Sequence, residues 1–228
     1  MAFEDFAERL ADTRRRVAEA ATRAGRTAAD VTIIAVTKGH EFQAMTTALS
    51  NDVLDLGENR VQEALPKLDL LGEEAARVHL IGQLQTNKVN KVVGRFASIM
   101  SVDRQDLQDK IVRRATEIDQ VQPVFIQVNT SGEDQKAGCS PDDLEALVIH
   151  ASSSDSIDLV GLMTMGKAGA GEAELRQGFS ELRGLRDRLL PKGALSMGMS
   201  GDFEVAIEEG ATHVRLGTTL FGPRPPRA

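Results

Sequence analysis

Residues 31–57 read VTIIAVTKGHEFQAMTTALSNDVLDLG. A run of β-branched and apolar residues (31–36) is followed by a polar, helix-compatible stretch and then by a second apolar run (53–57). Continuous apolar runs of this length suit strands buried on both faces, as in a parallel sheet. The intervening stretch is long enough for a crossover helix, which needs roughly a dozen residues. Working outward, the same unit recurs: VHLIG (78–82), SIMSVD (98–103), VFIQVN (124–129), LVGLMTM (159–165), ALSMGMS (194–200) and HVRLG (213–217). Helical stripes fall between them, such as Leu107, Ile111, Val112, Ala115 and Ile118, and Leu175, Phe179, Leu182, Leu185 and Leu189. Eight strand–helix units predict an α/β fold, a single-domain (β/α)8 barrel of the TIM type. A doubly wound open sheet is the alternative. The strand count and the lack of a Gly-rich first turn favour the barrel.

Ahead of the first strand, residues 1–24 read as an extra N-terminal helix with Phe3, Phe6, Leu10, Val17, Ala20, Ala21 and Ala24 on one face. Gly25 fits its C-terminal cap. Arg14, Arg15 and Arg16 read as a solvated helix face rather than an anion site. Nothing in the middle resembles a linker, so residues 1–228 read as one domain, with a Pro-rich tail at 223–228 expected to fray.

Composition removes several function classes. The net charge of −7 argues against a broad nucleic-acid surface. With no Trp and no Tyr, the chain by itself offers no phenol as acid, base or nucleophile. A single cysteine, Cys139, allows no intrachain disulfide and no cysteine-based metal cluster, fits a reduced compartment, and carries no nucleophile signature. His40, His79, His150 and His213 show no paired ligand spacing, and His79 and His213 read as packing within their strands. No stretch approaches 18 uncharged apolar residues and the N-terminus has no signal-like apolar region, so a cytoplasmic protein without membrane spans is expected.

In a barrel the chemistry sits where strands end and loops begin. Lys38 follows the first strand. It reads either as a partly desolvated amine suited to forming a Schiff base or as a lysine that reaches out to water. Ser200 ends the seventh strand, and Arg215 with Gly217-Thr218-Thr219 ends the eighth. Loops after strands 7 and 8 form the recurrent phosphate cradle of barrels, although the same residues also suit a helix cap and turn glycines. The segment Gly161–Lys167 mimics a P-loop, but Ala168 stands where the metal-holding hydroxyl belongs and the intervening residues read as strand. Gln83–Lys88 reads as a solvated face, with a second anion site as its alternative.

Taken together, IIAVTK, DLGENRVQEALPK, HLIGQLQTNKV, FIQVNTSGEDQKAG, LVGLMTMG and LSMGMSGDFEVAIEEGATHVRLGTTLFGPR resemble, in order and over most of the chain, the pyridoxal phosphate homeostasis protein family, whose barrel is like that of alanine racemase (fold type III). The resemblance implies that Lys38 holds pyridoxal 5'-phosphate (PLP) as a Schiff base. It implies that Ser200, Gly217 and Thr218 bind the phosphate, that Arg215 faces the pyridine nitrogen, and that Asn59 lines the cofactor. Met163 and Met197 would sit near the ring. One departure is Glu41, where many relatives carry proline.

The same resemblance implies a role in intracellular PLP (vitamin B6) homeostasis, as a carrier or reservoir without robust turnover. The ligands would be PLP with small amines or amino acids, and apo PLP-dependent enzymes would be partners. An arginine at the pyridine nitrogen disfavours the protonated ring, which makes a poor electron sink. Alanine racemases add a tyrosine from a second domain, and this chain has no tyrosine. The competing readings are a slow PLP-dependent racemase and a cofactor-free barrel enzyme acting on a phosphorylated metabolite. Because one barrel supplies the whole site, a monomer is expected.

Overall fold

The hydrogen-bond ladder closes between the first strand and the last. In the computed structural model, which describes residues 3–72, 76–133 and 137–223, the strands are β1 (Thr32–Val36), β2 (Asp55–Glu58), β3 (Arg77–Leu80), β4 (Ser98–Val102), β5 (Gln122–Gln127), β6 (Ile157–Met163), β7 (Ala194–Met199) and β8 (His213–Leu216). They are all parallel and pair in sequence order, and β1 returns to β8 with Ile34 opposite Arg215. The α/β barrel expected from the apolar runs is therefore the fold. Helices α2 (Gln43–Leu49), α3 (Val61–Leu71), α4 (Val89–Val92), α5 (Gln105–Glu117), α6 (Leu144–Ser152), α7 (Glu172–Leu189), α8 (Phe203–Glu208) and α9 (Thr218–Phe221) follow the strands in turn. After β3 the crossover shrinks to a 3₁₀ turn (Thr86–Lys88) and the single turn of α4.

Side-chain parity sorts the strands into two cores. Outward-facing Ala35, Leu56, Leu80, Val102, Leu195 and Leu216 pack under the helices in one continuous apolar cluster. Inside the barrel, Ile34, Met100, Phe125 and Met163 form a separate small cluster. Below it the filling is polar: the two ring nitrogens of His79 lie 2.8 Å from Ser98 Oγ and 3.0 Å from Asp55 Oδ1, and Arg77 grips Asp55 through both nitrogens of its fork. Buried polar groups need such partners, since each one left unpaired costs about 1–3 kcal/mol.

The extra N-terminal helix is α1 (Phe6–Arg23), which packs on α8 and α9. It buries Phe6, Leu10, Val17, Ala20 and Ala21, and each large side chain contributes roughly 1.5–3 kcal/mol. Gly25, at φ +67°, ends it: the amides of Gly25 and Arg26 return to the carbonyls of Thr22 and Ala21. The helix starts later than the apolar face suggests. Phe3 lies before it at φ +69°, with its ring edge-on to His40 and Phe221. The arginine triplet lies on a solvated face as expected, with Arg15 paired to Asp12 and Glu19 and Arg16 paired to Glu204. Of the tail at 223–228, residues 224–228 lie outside the described residues, as do residues 1–2 of the expected helix.

Candidate functional site

The C-terminal mouth of the barrel holds a cleft of about 230 Å³, and all six residues singled out from the sequence line it: Lys38, Asn59, Ser200, Arg215, Gly217 and Thr218. Arg215 lies on β8, and the other five follow the ends of β1, β2, β7 and β8, four neighbouring strands of the closed sheet. Lys38 lies just past the end of β1 and is half-buried, and its Nζ is 3.4 Å from Asn59 Oδ1. Asn59 is held where it is by close backbone packing. Gly82 approaches so near that a Cβ there would stand 2.1 Å from the Asn59 carbonyl oxygen, so only glycine fits.

On the opposite wall, Ser200 Oγ accepts the amides of Gly217 (3.3 Å) and Thr219 (3.2 Å), and Thr219 Oγ1 donates to the Ser200 carbonyl at 3.4 Å. The loops after β7 and β8 are thus tied into a ring of hydroxyls and amides. The same groups are able to take an anionic oxygen. Asp202 supports this loop by accepting the Met199 amide, and burial pushes its carboxyl above the usual range.

Arg215 is buried among main-chain acceptors. Its guanidinium donates to the Ser196 carbonyl and Ser196 Oγ, both at 2.8 Å, and to the Thr164 carbonyl at 2.8 Å. Burial pulls its pKa down to about 10, partly offset by Asp202. It therefore remains a cation at neutral pH, rigidly held at the floor of the cleft.

Two methionines differ from expectation. Met163 lies one layer deeper, in the small interior cluster, and Met197 faces the helices; Met165 and Met199 line the cleft. The cause on β7 is Gly198, at φ +94°, whose missing side chain leaves room for Phe203 and Ala206. That left-handed residue breaks the strand alternation and turns Met199 and Ser200 into the mouth.

His40, absent from the residues expected at the site, also lines the cleft, with its ring between Phe3 and Phe221. Its position two residues after Lys38 was the available signal.

The remaining candidates resolve without a role at this cleft. Residues 161–163 are strand, so no phosphate loop forms there. Gln83 donates to Gln127 Oε1 instead of facing an anion, and Lys91 is exposed. His79 and His213 lie within β3 and β8 as expected. Cys139 is buried, and burial with Asp103 and Asp143 nearby pushes its thiol up to about 12, well away from a nucleophile's range. Glu41 is exposed on the loop leaving β1.

The family model for the alanine racemase N-terminal domain matches residues 9–225. A pyridoxal phosphate homeostasis protein from Aquifex aeolicus is 41% identical over 224 residues, covering 95% of this chain and 97% of the relative. One from Pseudomonas aeruginosa is 40% identical over 220 residues, covering 96% of each chain. This chain belongs to the pyridoxal phosphate homeostasis protein family. The solved structure of PipY from Synechococcus elongatus with PLP bound superposes with a TM-score of 0.82 at 34% identity, covering 95% of this chain and all of PipY. An alanine racemase from Clostridium difficile shares the fold at a TM-score of 0.72 and 15% identity, and the match covers 60% of that racemase. Among the described residues of this family member no helix is long and apolar enough to cross a membrane.

Proposed function

We propose that this chain binds pyridoxal 5'-phosphate in the β1/β2/β7/β8 cleft and serves intracellular PLP homeostasis as a carrier or reservoir without robust turnover. The observation that carries the reading is the convergence of a half-buried lysine, a buried arginine and a ring of hydroxyls and amides on one cleft of about 230 Å³. The residues fit the group. The Gly217 and Thr219 amides already converge on one oxygen, Ser200 Oγ, as they would on a phosphate oxygen, with the Thr218 backbone and hydroxyl alongside.

When bound, PLP would supply an aldehyde that an amine captures reversibly and a ring that is a strong electron sink when its nitrogen is protonated and a poor one when it is not. Lys38 Nζ is the capturing amine, binding as a Schiff base, and Asn59 Oδ1 orients it. Ser200, Gly217 and Thr218 hold the phosphate. Arg215, a buried cation, would face the pyridine nitrogen and oppose its protonation. That environment suits holding and releasing the cofactor more than carbanion chemistry. Lys38 would yield its ligand to small amines, amino acids or apo PLP-dependent enzymes in the cytoplasm. One chain supplies every residue of the site, so a monomer suffices.

Titration of the purified protein with PLP, followed by visible absorbance, tests this reading. A new band in the native chain that is absent from Lys38→Ala is the expected result. No band, or one that persists in Lys38→Ala, overturns the Lys38 assignment. Mixing the loaded protein with an apo-enzyme tests delivery, which fails if activation is no faster than with free PLP.

A further inference from the structure

Directly behind Lys38 and Asn59, on the helix side of the sheet, lies a buried charged network. Lys67, on α3, donates from Nζ to Glu58 Oε1 at 2.7 Å and to the Thr37 carbonyl at 3.1 Å. Thr37 Oγ1 donates to the same Glu58 oxygen at 2.7 Å, and the Thr37 amide donates to the Gly57 carbonyl at 3.0 Å. The Thr37 amide and hydroxyl are therefore tied to β2, and its carbonyl accepts from α3 and from the His40 amide at 3.2 Å. Thr37 and Glu58 are fully buried and Lys67 nearly so. Glu58 Oε2 has no hydrogen-bond partner among the described residues.

Thr37 immediately precedes Lys38, and Glu58 immediately precedes Asn59. Along a strand, successive side chains alternate faces, so two residues pointing to the helices fix the two next ones pointing into the mouth. For packing alone, an apolar pair would serve as well, because a buried ion pair is often no more stabilising than a hydrophobic replacement of similar volume. The network's distinctive property is directional. It locks the ends of β1 and β2 together at the place where Lys38 Nζ meets Asn59 Oδ1.

We propose that Glu58 and Lys67, acting through Thr37, are positioning residues that set the reach and orientation of Lys38 toward its aldehyde ligand. This inference rests on the reading of Lys38 as the PLP lysine.

Three variants test it: Thr37→Val, Glu58→Gln, and the double change Glu58→Gln with Lys67→Met. In the chain without PLP, the labelling rate of Lys38 by an amine-reactive reagent is compared with that of exposed Lys192, alongside the melting temperature. In the loaded chain, PLP affinity is read from visible absorbance. Borohydride trapping and peptide mapping then locate the modified lysine. Variants that melt like the native chain are expected to change the Lys38-to-Lys192 labelling ratio. They are also expected to bind PLP about tenfold more weakly, the worth of one well-placed hydrogen bond, and to spread the trapped label to other lysines. Folded variants with the native labelling ratio and native affinity overturn the proposal. Should the double variant fail to fold, Thr37→Val decides, since it keeps the ion pair and the shape. If the native chain takes up no PLP, the proposed function fails, and the labelling ratio still decides for or against the network.

Discussion

Arg215 donates to the Ser196 carbonyl and hydroxyl, both at 2.8 Å, across the β7–β8 seam of the barrel. A buried guanidinium is thus held by neutral acceptors, with Asp202 acting only at a distance. Arg215→Met would leave the Thr164 and Ser196 carbonyls without this donor. It is expected to lower stability by about 2–4 kcal/mol, measured as a shift in the urea midpoint at unchanged slope.

Ser200→Ala separates the phosphate from the rest of the ligand. The Gly217 and Thr219 amides lose their shared acceptor, and a phosphate loses one hydroxyl donor. Affinity for PLP should fall about tenfold, while affinity for pyridoxal, which lacks the phosphate, should change little. Parallel titrations with the two aldehydes check this.

Gly82→Ala places a Cβ 2.1 Å from the Asn59 carbonyl oxygen. Backbone cannot yield there as a flexible side chain would. A loss of roughly 1–3 kcal/mol is expected, together with weaker PLP binding because Asn59 must move. Thermal unfolding and an absorbance titration on the same sample report both effects.

His213 sets an acid limit. Burial depresses its pKa to about 4, against about 6.5 for a free imidazole. The unfolded chain therefore binds the extra proton first. Stability from this group is complete above about pH 6.5 and is lost progressively as pH falls toward 4, by on the order of 3 kcal/mol. His213→Gln should flatten the stability profile over that window, measured by urea unfolding at stepped pH.

Cys139 should resist thiol reagents in the folded chain at neutral pH, because burial keeps its thiol protonated up to about pH 12. Stoichiometric labelling should appear only when denaturant is added. Rapid labelling of the native protein would contradict the buried placement.

Much of the site was readable in advance because chemistry in a barrel is confined to strand ends. Once the apolar runs are counted, Lys38, Asn59, Ser200 and Gly217 fall at those ends. The expectation of Met163 and Met197 near the ring rests on the family resemblance and not on strand parity. Which methionines reach the cleft depends on layer depth and on the left-handed turn at Gly198, which shifts parity on β7. The pairing of Phe3 with His40 and Phe221 joins segments remote in sequence and has no local signal. The tie between Glu58 and Lys67 spans a strand and a helix that periodicity reads separately.

By itself the sequence determined the number of strand–helix units, favoured a barrel over an open sheet, excluded a phenol from this chain, and set the residue types available at each strand end. These follow from local burial patterns and composition, which need no knowledge of distant contacts. Only the tertiary structure decided that Lys38, Asn59, Ser200, Arg215, Gly217 and Thr218 share one cleft, that Arg215 is a buried cation among carbonyls, and that a charged network stands behind the lysine. Those properties arise from closing β8 onto β1, which pairs residues 181 positions apart and buries Arg215 inside the barrel.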